Sequence, residues 1–180
     1  MKSSSLYTHL ALRAIEEKIK TGQVFTFEQY KMEIDDPEWI REVEQTQAGA
    51  FVSLYIEDEL RGCIGTVEGI EPHIGEEIIK NALEAAFFDS RFQPVGKKEL
   101  ERLAISVDIL KQKEPVESIK ELDPQKYGVV VEHQRKRGLL LPALEGVDTP
   151  EKQLDIAAKK AGIMEGEKMR VYRFEVIRHR

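Results

Sequence analysis

The stretch Leu60-Arg61-Gly62-Cys63-Ile64-Gly65-Thr66 holds the residue types whose spacing best suits chemistry. Read as a strand, its side chains alternate, so Leu60, Gly62 and Ile64 face one way while Arg61, Cys63 and Gly65 face the other. Arg61 and Cys63 are then neighbours. A guanidinium beside a thiol favours the thiolate, and an ordinary cysteine pKa of about 8.5 needs to fall only about 1.5 units for half ionisation at neutral pH. A thiolate of that kind serves as a nucleophile or a general base. Gly62 and Gly65 each weaken a strand by roughly 0.5–1 kcal/mol relative to alanine, so they point to a bulge, a bend or the close approach of a backbone or a ligand. A glycine-lined floor carrying Arg61, Cys63 and backbone N–H groups suits a small anionic ligand. Thr66 adds a hydroxyl that either reaches that ligand or satisfies backbone groups where the strand ends. The competing reading is an inert core cysteine, since cysteine is among the most buried residue types.

Other candidates lie further along. Asp89 and Arg91 follow a helical stretch ending at Phe88 and either orient each other or a substrate, or form a salt bridge at the helix end. His73, ten residues beyond Cys63, is the best-placed base for it, or else an exposed loop histidine. The four histidines, His9, His73, His133 and His179, share no metal-ligand spacing, so no metal site is expected. Arg135-Lys136-Arg137 is a basic run without interleaved aromatics and reads as a solvated turn rather than a nucleic-acid patch. The glycines at 62, 65 and 69 match no phosphate-loop or dinucleotide pattern, and no cofactor is expected.

The elements that must position these residues follow from periodicity. Residues 5–20 read as a helix, with Leu6, Leu10, Ala14 and Ile15 at helical spacing and Gly22 available as a left-handed cap. From Val24 to Gln47 the pattern weakens; Asp35-Asp36-Pro37 breaks periodicity, and the stretch from Trp39 to Glu44 is a loop or a short helix. Residues 50–56 read as a strand turning at Glu57-Asp58-Glu59 into a hairpin partner over 60–66. Residues 75–88 form the clearest helix, with Ile78, Ile79, Ala82, Leu83, Ala86 and Phe87 on one stripe. Leu103, Ile105, Val107 and Ile109 alternate on one face of a strand. Val129-Val130-Val131 and Leu139-Leu140-Leu141 read as two short strands joined by a polar loop over 133–138. Asp148-Thr149-Pro150-Glu151 starts a helix that stops at Gly162, and Tyr172, Phe174 and Val176 make a last strand. Hairpins interrupted by helices predict an α+β fold, a mainly antiparallel sheet covered by helices.

Composition limits the function classes. A chain of 180 residues that is 41% hydrophobic holds enough apolar material for one domain with a sizeable core. With 27 Lys+Arg against 33 Asp+Glu the net charge is −6, which opposes general attraction to nucleic acid or anionic membranes. The single cysteine excludes an intramolecular disulfide and an all-cysteine metal cage. No export signal or membrane-length apolar run is evident from Met1-Lys2-Ser3-Ser4-Ser5 onward, so a cytoplasmic location is expected.

The seven residues from Leu60 to Thr66 resemble the signature of the AMMECR domain family. Asp89-Ser90-Arg91-Phe92, Glu99-Leu100, Gly138-Leu139-Leu140-Leu141-Pro142 and Tyr172-Arg173-Phe174 follow in that family's order, and the resemblance runs from about Leu6 to Ile177. Ala143 stands where an amide or acid is common in the family, and Val147 where tryptophan is often held. The resemblance implies a single cytoplasmic α+β domain over 1–180, in two unequal lobes with the signature lining a cleft. It also implies kinship with protein A of the AmmeMemoRadiSam system, whose partners are a Memo-type protein and a radical S-adenosylmethionine protein. On this basis Cys63 and Arg61 are candidate catalytic residues, and Gly62, Gly65, Thr66, Asp89 and Arg91 candidate ligand-binding residues. The alternative is a non-catalytic adaptor whose signature surface docks a partner.

Overall fold

The computed structural model describes residues 5–180; Met1 to Ser4, where the reading for an export signal begins, lie outside the described residues. The described chain divides into two compact units, one running to Ile109 and taking back Arg178–Arg180, the other spanning Leu110–Ile177.

In the first unit α1, Leu6–Thr21, begins where the Ser5 hydroxyl accepts the Thr8 N–H and ends at Gly22, whose φ of 77° only glycine adopts without strain. The weakly patterned region holds two short helices, α2 at Phe27–Lys31 and α3 at Pro37–Gln45. Asp35-Asp36-Pro37 is therefore a helix start as well as a break: the Asp36 carboxylate accepts the Trp39 N–H, and Pro37 occupies the first turn, where no N–H is needed. These helices bury Phe27 and Tyr30 completely and bring Trp39 edge-on to Tyr7 of α1 at 5.1 Å.

Strands β1, Ala50–Ile56, and β2, Glu59–Gly65, form an antiparallel hairpin through the two-residue turn Glu57–Asp58. Helix α4, Ile74–Phe87, packs its apolar stripe on both strands and on α1. A 3-10 turn at Lys97–Arg102 leads into β3, Ala104–Leu110, which pairs antiparallel with β1 so that Val107 meets Val52 and Ile105 meets Leu54 on the core face.

The second unit repeats the hairpin-and-helix arrangement. It contains β4 (Glu114–Pro115), β5 (Gly128–His133), β6 (Lys136–Leu140), α5 (Pro150–Ala161) and β7 (Arg170–Phe174). Its sheet order is β4-β7-β5-β6, antiparallel throughout. Helix α5 packs on β5 and β6, and Val129, Val131, Leu140, Val147 and Ala157 form its core. A final strand β8, Val176–His179, completes the other sheet, whose order is β2-β1-β3-β8.

The fold is α+β with antiparallel pairing and helices on the sheets, as expected. Two details differ from the sequence reading. The loop expected over 133–138 is a two-residue turn, Gln134–Arg135, with Gln134 at φ 53°, and Lys136 and Arg137 already belong to β6. Strand β6 is an edge, where charged side chains are favoured because they discourage further pairing. The strand expected through Tyr172, Phe174 and Val176 is two strands in different sheets, broken at Glu175, whose carbonyl accepts the Lys111 N–H.

Candidate functional site

The signature forms β2, on the edge of its sheet. Pairing with β1 runs Phe51 to Gly65, Val52 to Ile64, Ser53 to Cys63 and Leu54 to Gly62, then shifts so that Tyr55 meets Leu60. Arg61 is the extra residue of a β-bulge, and the strict alternation expected of the strand fails there. The cation whose charge acts on the Cys63 thiol is Arg91, where Arg61 was expected. Arg61 is re-aimed to the 3-10 turn, where its Nε and Nη2 donate to Glu99 at 2.7 and 3.2 Å. The Glu99 carboxylate also accepts the Gly96 N–H, and the Arg61 guanidinium holds it below its ordinary pKa.

Cys63 is half-buried, with its sulfur 3.2 Å from the Ser53 hydroxyl, which donates to it. Burial pushes the thiol above its usual pKa, outweighing the Ser53 hydrogen bond and the charge of Arg91, which both act in the opposite direction. The direction is the reverse of that expected for a thiol activated by Arg61. Ser53 lies opposite Ser106 of β3, and on the same sheet face Asp108 binds Arg178 through two bonds of 2.7 Å. The face turned from α4 thus carries a polar row; the more polar face of β3 was legible from its alternation, but its joining to Ser53 and Cys63 across the sheet was not.

The backbone of Cys63 is held by Asp89 and Arg91, which follow α4. The Cys63 N–H donates to Asp89 Oδ2 at 2.9 Å, and Arg91 Nη2 donates to the Cys63 carbonyl at 3.1 Å. Arg91 also grips Asp89 through Nε at 2.9 Å and Nη2 at 2.7 Å. Asp89 is buried, and these donors, the Arg91 guanidinium foremost, hold its carboxyl well below the usual carboxylate range. The two residues do orient each other, and together they fix the signature rather than merely ending a helix.

Gly62 and Gly65 meet protein rather than open space. A Cβ on Gly62 would lie 2.2 Å from the Ala85 carbonyl oxygen of α4, and one on Gly65 would lie 2.3 Å from the Phe51 ring. Thr66 donates its hydroxyl to Glu77 at 2.6 Å. Glu77, fully buried on α4, also accepts the N–H groups of Ile70 and Glu71, and Asn81 one turn on donates to the Ala50 carbonyl. Burial opposes the charge of Glu77, but these donors together hold its pKa below the ordinary value. Glu77 and Asn81 escaped sequence reading; their i,i+4 spacing beside an apolar stripe was the available signal.

His73 precedes α4 and stacks near Phe27 with ring centroids 4.9 Å apart. Cys63 is bound at the other end of the helix through Asp89, and 16 residues at about 1.5 Å each separate the two ends by roughly 24 Å. His73 is therefore not a base for this thiol. Among the described residues no cluster of three or more His, Cys, Asp or Glu side chains is arranged to hold a metal ion, and no helix is long and apolar enough to cross a membrane. In the basic run, Lys136 pairs with Glu167 and Arg137 with Glu132, while Arg135 lies exposed in the turn.

A family model described as AMMECR1 matches residues 8–179. A Thermotoga maritima protein is 46% identical over 176 residues, covering 97% of each chain. A Clostridium acetobutylicum protein is 43% identical over 97% of this chain, which spans only 36% of that longer relative. The crystal structure of an uncharacterized Pyrococcus horikoshii protein superposes with a TM-score of 0.80 at 30% identity, covering 97% of this chain and 89% of that one. The chain belongs to the AMMECR1 family.

Proposed function

We propose that the chain is a non-catalytic binding component that docks a partner protein beside the signature. The observation that carries this reading is the prior engagement of most of the signature's chemical groups: Arg61 Nε and Nη2 with Glu99, Thr66 with Glu77, and the Cys63 backbone with Asp89 and Arg91, while the buried Arg61 Nη1 has no hydrogen-bond partner. The thiol itself is shifted away from ionisation. Next to this rigid strand, Phe88 at the end of α4 is 66% exposed, and the Arg91 guanidinium lies over the Phe92 ring at 5.4 Å. Exposed aromatic and arginine side chains are the types that dominate binding energy at protein interfaces. The partners implied by the family resemblance are a Memo-type protein and a radical S-adenosylmethionine protein. Co-purification of the three with Phe88→Glu tests this: the side chain is exposed, so the fold survives and association is lost. Association equal to wild type would refute the docking surface.

The row of Cys63, Ser53 and Ser106 beside Asp108 and Arg178 favours a second reading, an enzyme component that binds a small anionic ligand on that sheet face. In that case Cys63→Ser abolishes the activity of the assembled system without altering association. In the adaptor reading both are unchanged.

A further inference from the structure

The open edge of β2 has an unusual covering. In an antiparallel ladder the N–H and C=O of one residue point the same way, alternately toward the neighbouring strand and away from it. At Cys63 the N–H goes to Asp89 and the C=O to Arg91, so both groups point off the sheet rather than toward Ser53. A strand edge exposing a donor and an acceptor in this way is a template for another strand. Asp89 and Arg91 present an acceptor and a donor as an adjoining strand would, and bonds of 2.9 and 2.7 Å between them, with the Arg91 N–H also bound to Asp89 at 3.1 Å, make the two side chains one unit. Asp89 is buried, whereas the Arg91 side chain is 56% exposed, so the half that blocks the carbonyl lies on the solvent side.

We propose that the Asp89–Arg91 pair is a latch that closes the β2 edge against strand pairing with a second copy of this chain. A second copy is the fitting occupant because the edge is self-complementary. Two β2 strands related by a two-fold axis place Cys63 opposite Cys63, and each residue then supplies the N–H and the C=O that the other needs. These are the two groups that the latch occupies, so pairing and latching exclude each other. The latch does not use Phe88, although it shares Arg91 with the proposed docking surface, so Phe88→Glu tests that surface without touching the latch.

The only cysteine in the chain reports on this arrangement. Residues facing each other in such a hydrogen-bonded pair have Cα atoms about 5.5 Å apart, within the range a disulfide spans. The full chain carrying Asp89→Ser and Arg91→Ala together, treated with the thiol oxidant diamide, is expected to form at least about tenfold more disulfide-linked dimer than wild type at equal concentration. The same double variant with Cys63→Ser is expected to dimerise by light scattering without oxidant, which separates strand pairing from simple thiol exposure. A folded double variant that remains monomeric overturns the proposal. Should the double variant not fold, amide exchange of the wild-type chain decides: the Cys63 N–H is expected to be protected about 100-fold or more although it points off an edge strand, and an unprotected Cys63 amide overturns the latch.

Discussion

Gly62 on β2 lies directly against the main chain of Ala85 on α4, so close that a methyl group on Gly62 would stand 2.2 Å from the Ala85 carbonyl oxygen. The second unit contains the same contact, with Gly138 on β6 facing the Ala157 carbonyl of α5 at 2.1 Å. Each hairpin thus meets its helix at a glycine, and the backbone approaches where a side chain would hold it off. In neither case does the obstacle have a flexible end that moves aside. Gly62→Ala and Gly138→Ala are each expected to destabilise the protein by about 3 kcal/mol, the upper part of the range for overpacking, as read by denaturant unfolding. A loss below about 0.5 kcal/mol at either position would show that the helix is free to shift.

Glu77 makes a second prediction. Its two oxygens receive the Thr66 hydroxyl and the N–H groups of Ile70 and Glu71. In Glu77→Gln the amide oxygen keeps the Ile70 and Glu71 N–H groups only if its NH2 faces Thr66, whose hydroxyl must then accept rather than donate, and loss of the charge-assisted bonds costs about 1–2 kcal/mol. The charge also gives stability a pH dependence. The folded pKa of Glu77 lies below its unfolded value, and so do those of Asp89 and Glu99. Their contribution is complete above the unfolded values of about 3.9 for Asp and 4.3 for Glu, and it is lost as pH falls through the folded ones. Unfolding midpoints measured between pH 7 and 3 are expected to fall in this acid range, and less steeply in Glu77→Gln.

The thiol offers a third. With its pKa raised by burial, Cys63 is expected to react slowly with iodoacetamide at pH 7, and its rate should climb only at pH above the ordinary cysteine range. The Ser53 hydroxyl stabilises the thiolate, so Ser53→Ala removes a downward influence and moves the pKa further up. A Ser53→Ala protein that reacts faster at neutral pH without loss of stability would reverse the assigned role of that hydrogen bond.

These relationships explain what was legible beforehand. Gly22, Thr149, Pro150 and Gly162 marked helix ends because capping is a local matter of one side chain or one φ angle. The hairpin of β1 and β2 was legible from residue types, and its glycines pointed to a bulge among other readings, but the bulge's place at Arg61 was not legible, because a register shift depends on the partner strand. Arg61 bonds to Glu99, 38 residues later, a partner that strand alternation does not indicate. Asp89 and Arg91 were recognisable as a pair, whereas their hold on a peptide 26 residues earlier is long-range. The chain's division of β7 from β8 at Glu175 left the polar and apolar alternation almost intact and so gave no local signal.

Among the described residues four other than glycine adopt positive φ, and two of them supply the last prediction. Asp58 closes the β1–β2 turn at φ 67°, and Ala143 lies at φ 54° with its N–H donated to the Pro124 carbonyl. The left-handed conformation costs an ordinary residue roughly 1–2 kcal/mol and asparagine, aspartate or glycine less. At position 143, where the AMMECR resemblance carries an amide or acid more often than alanine, the conformation gives the preference a physical basis. Glycine relieves the strain but adds about 0.4–1 kcal/mol of unfolded-state entropy, so the strain term wins by a modest margin. Ala143→Gly and Ala143→Asn are each expected to stabilise the protein by about 0.5–1 kcal/mol, with the N–H bond of residue 143 retained, whereas Asp58→Gly, replacing a residue that tolerates this conformation, is expected to change stability by less than about 0.5 kcal/mol. Gly22→Ala, at φ 77° in open space, is the matched control and is expected to lose about 1 kcal/mol in the same unfolding measurement. A gain at 143 that fails to appear while the loss at 22 does would mean that neighbouring contacts at that turn already compensate the strain.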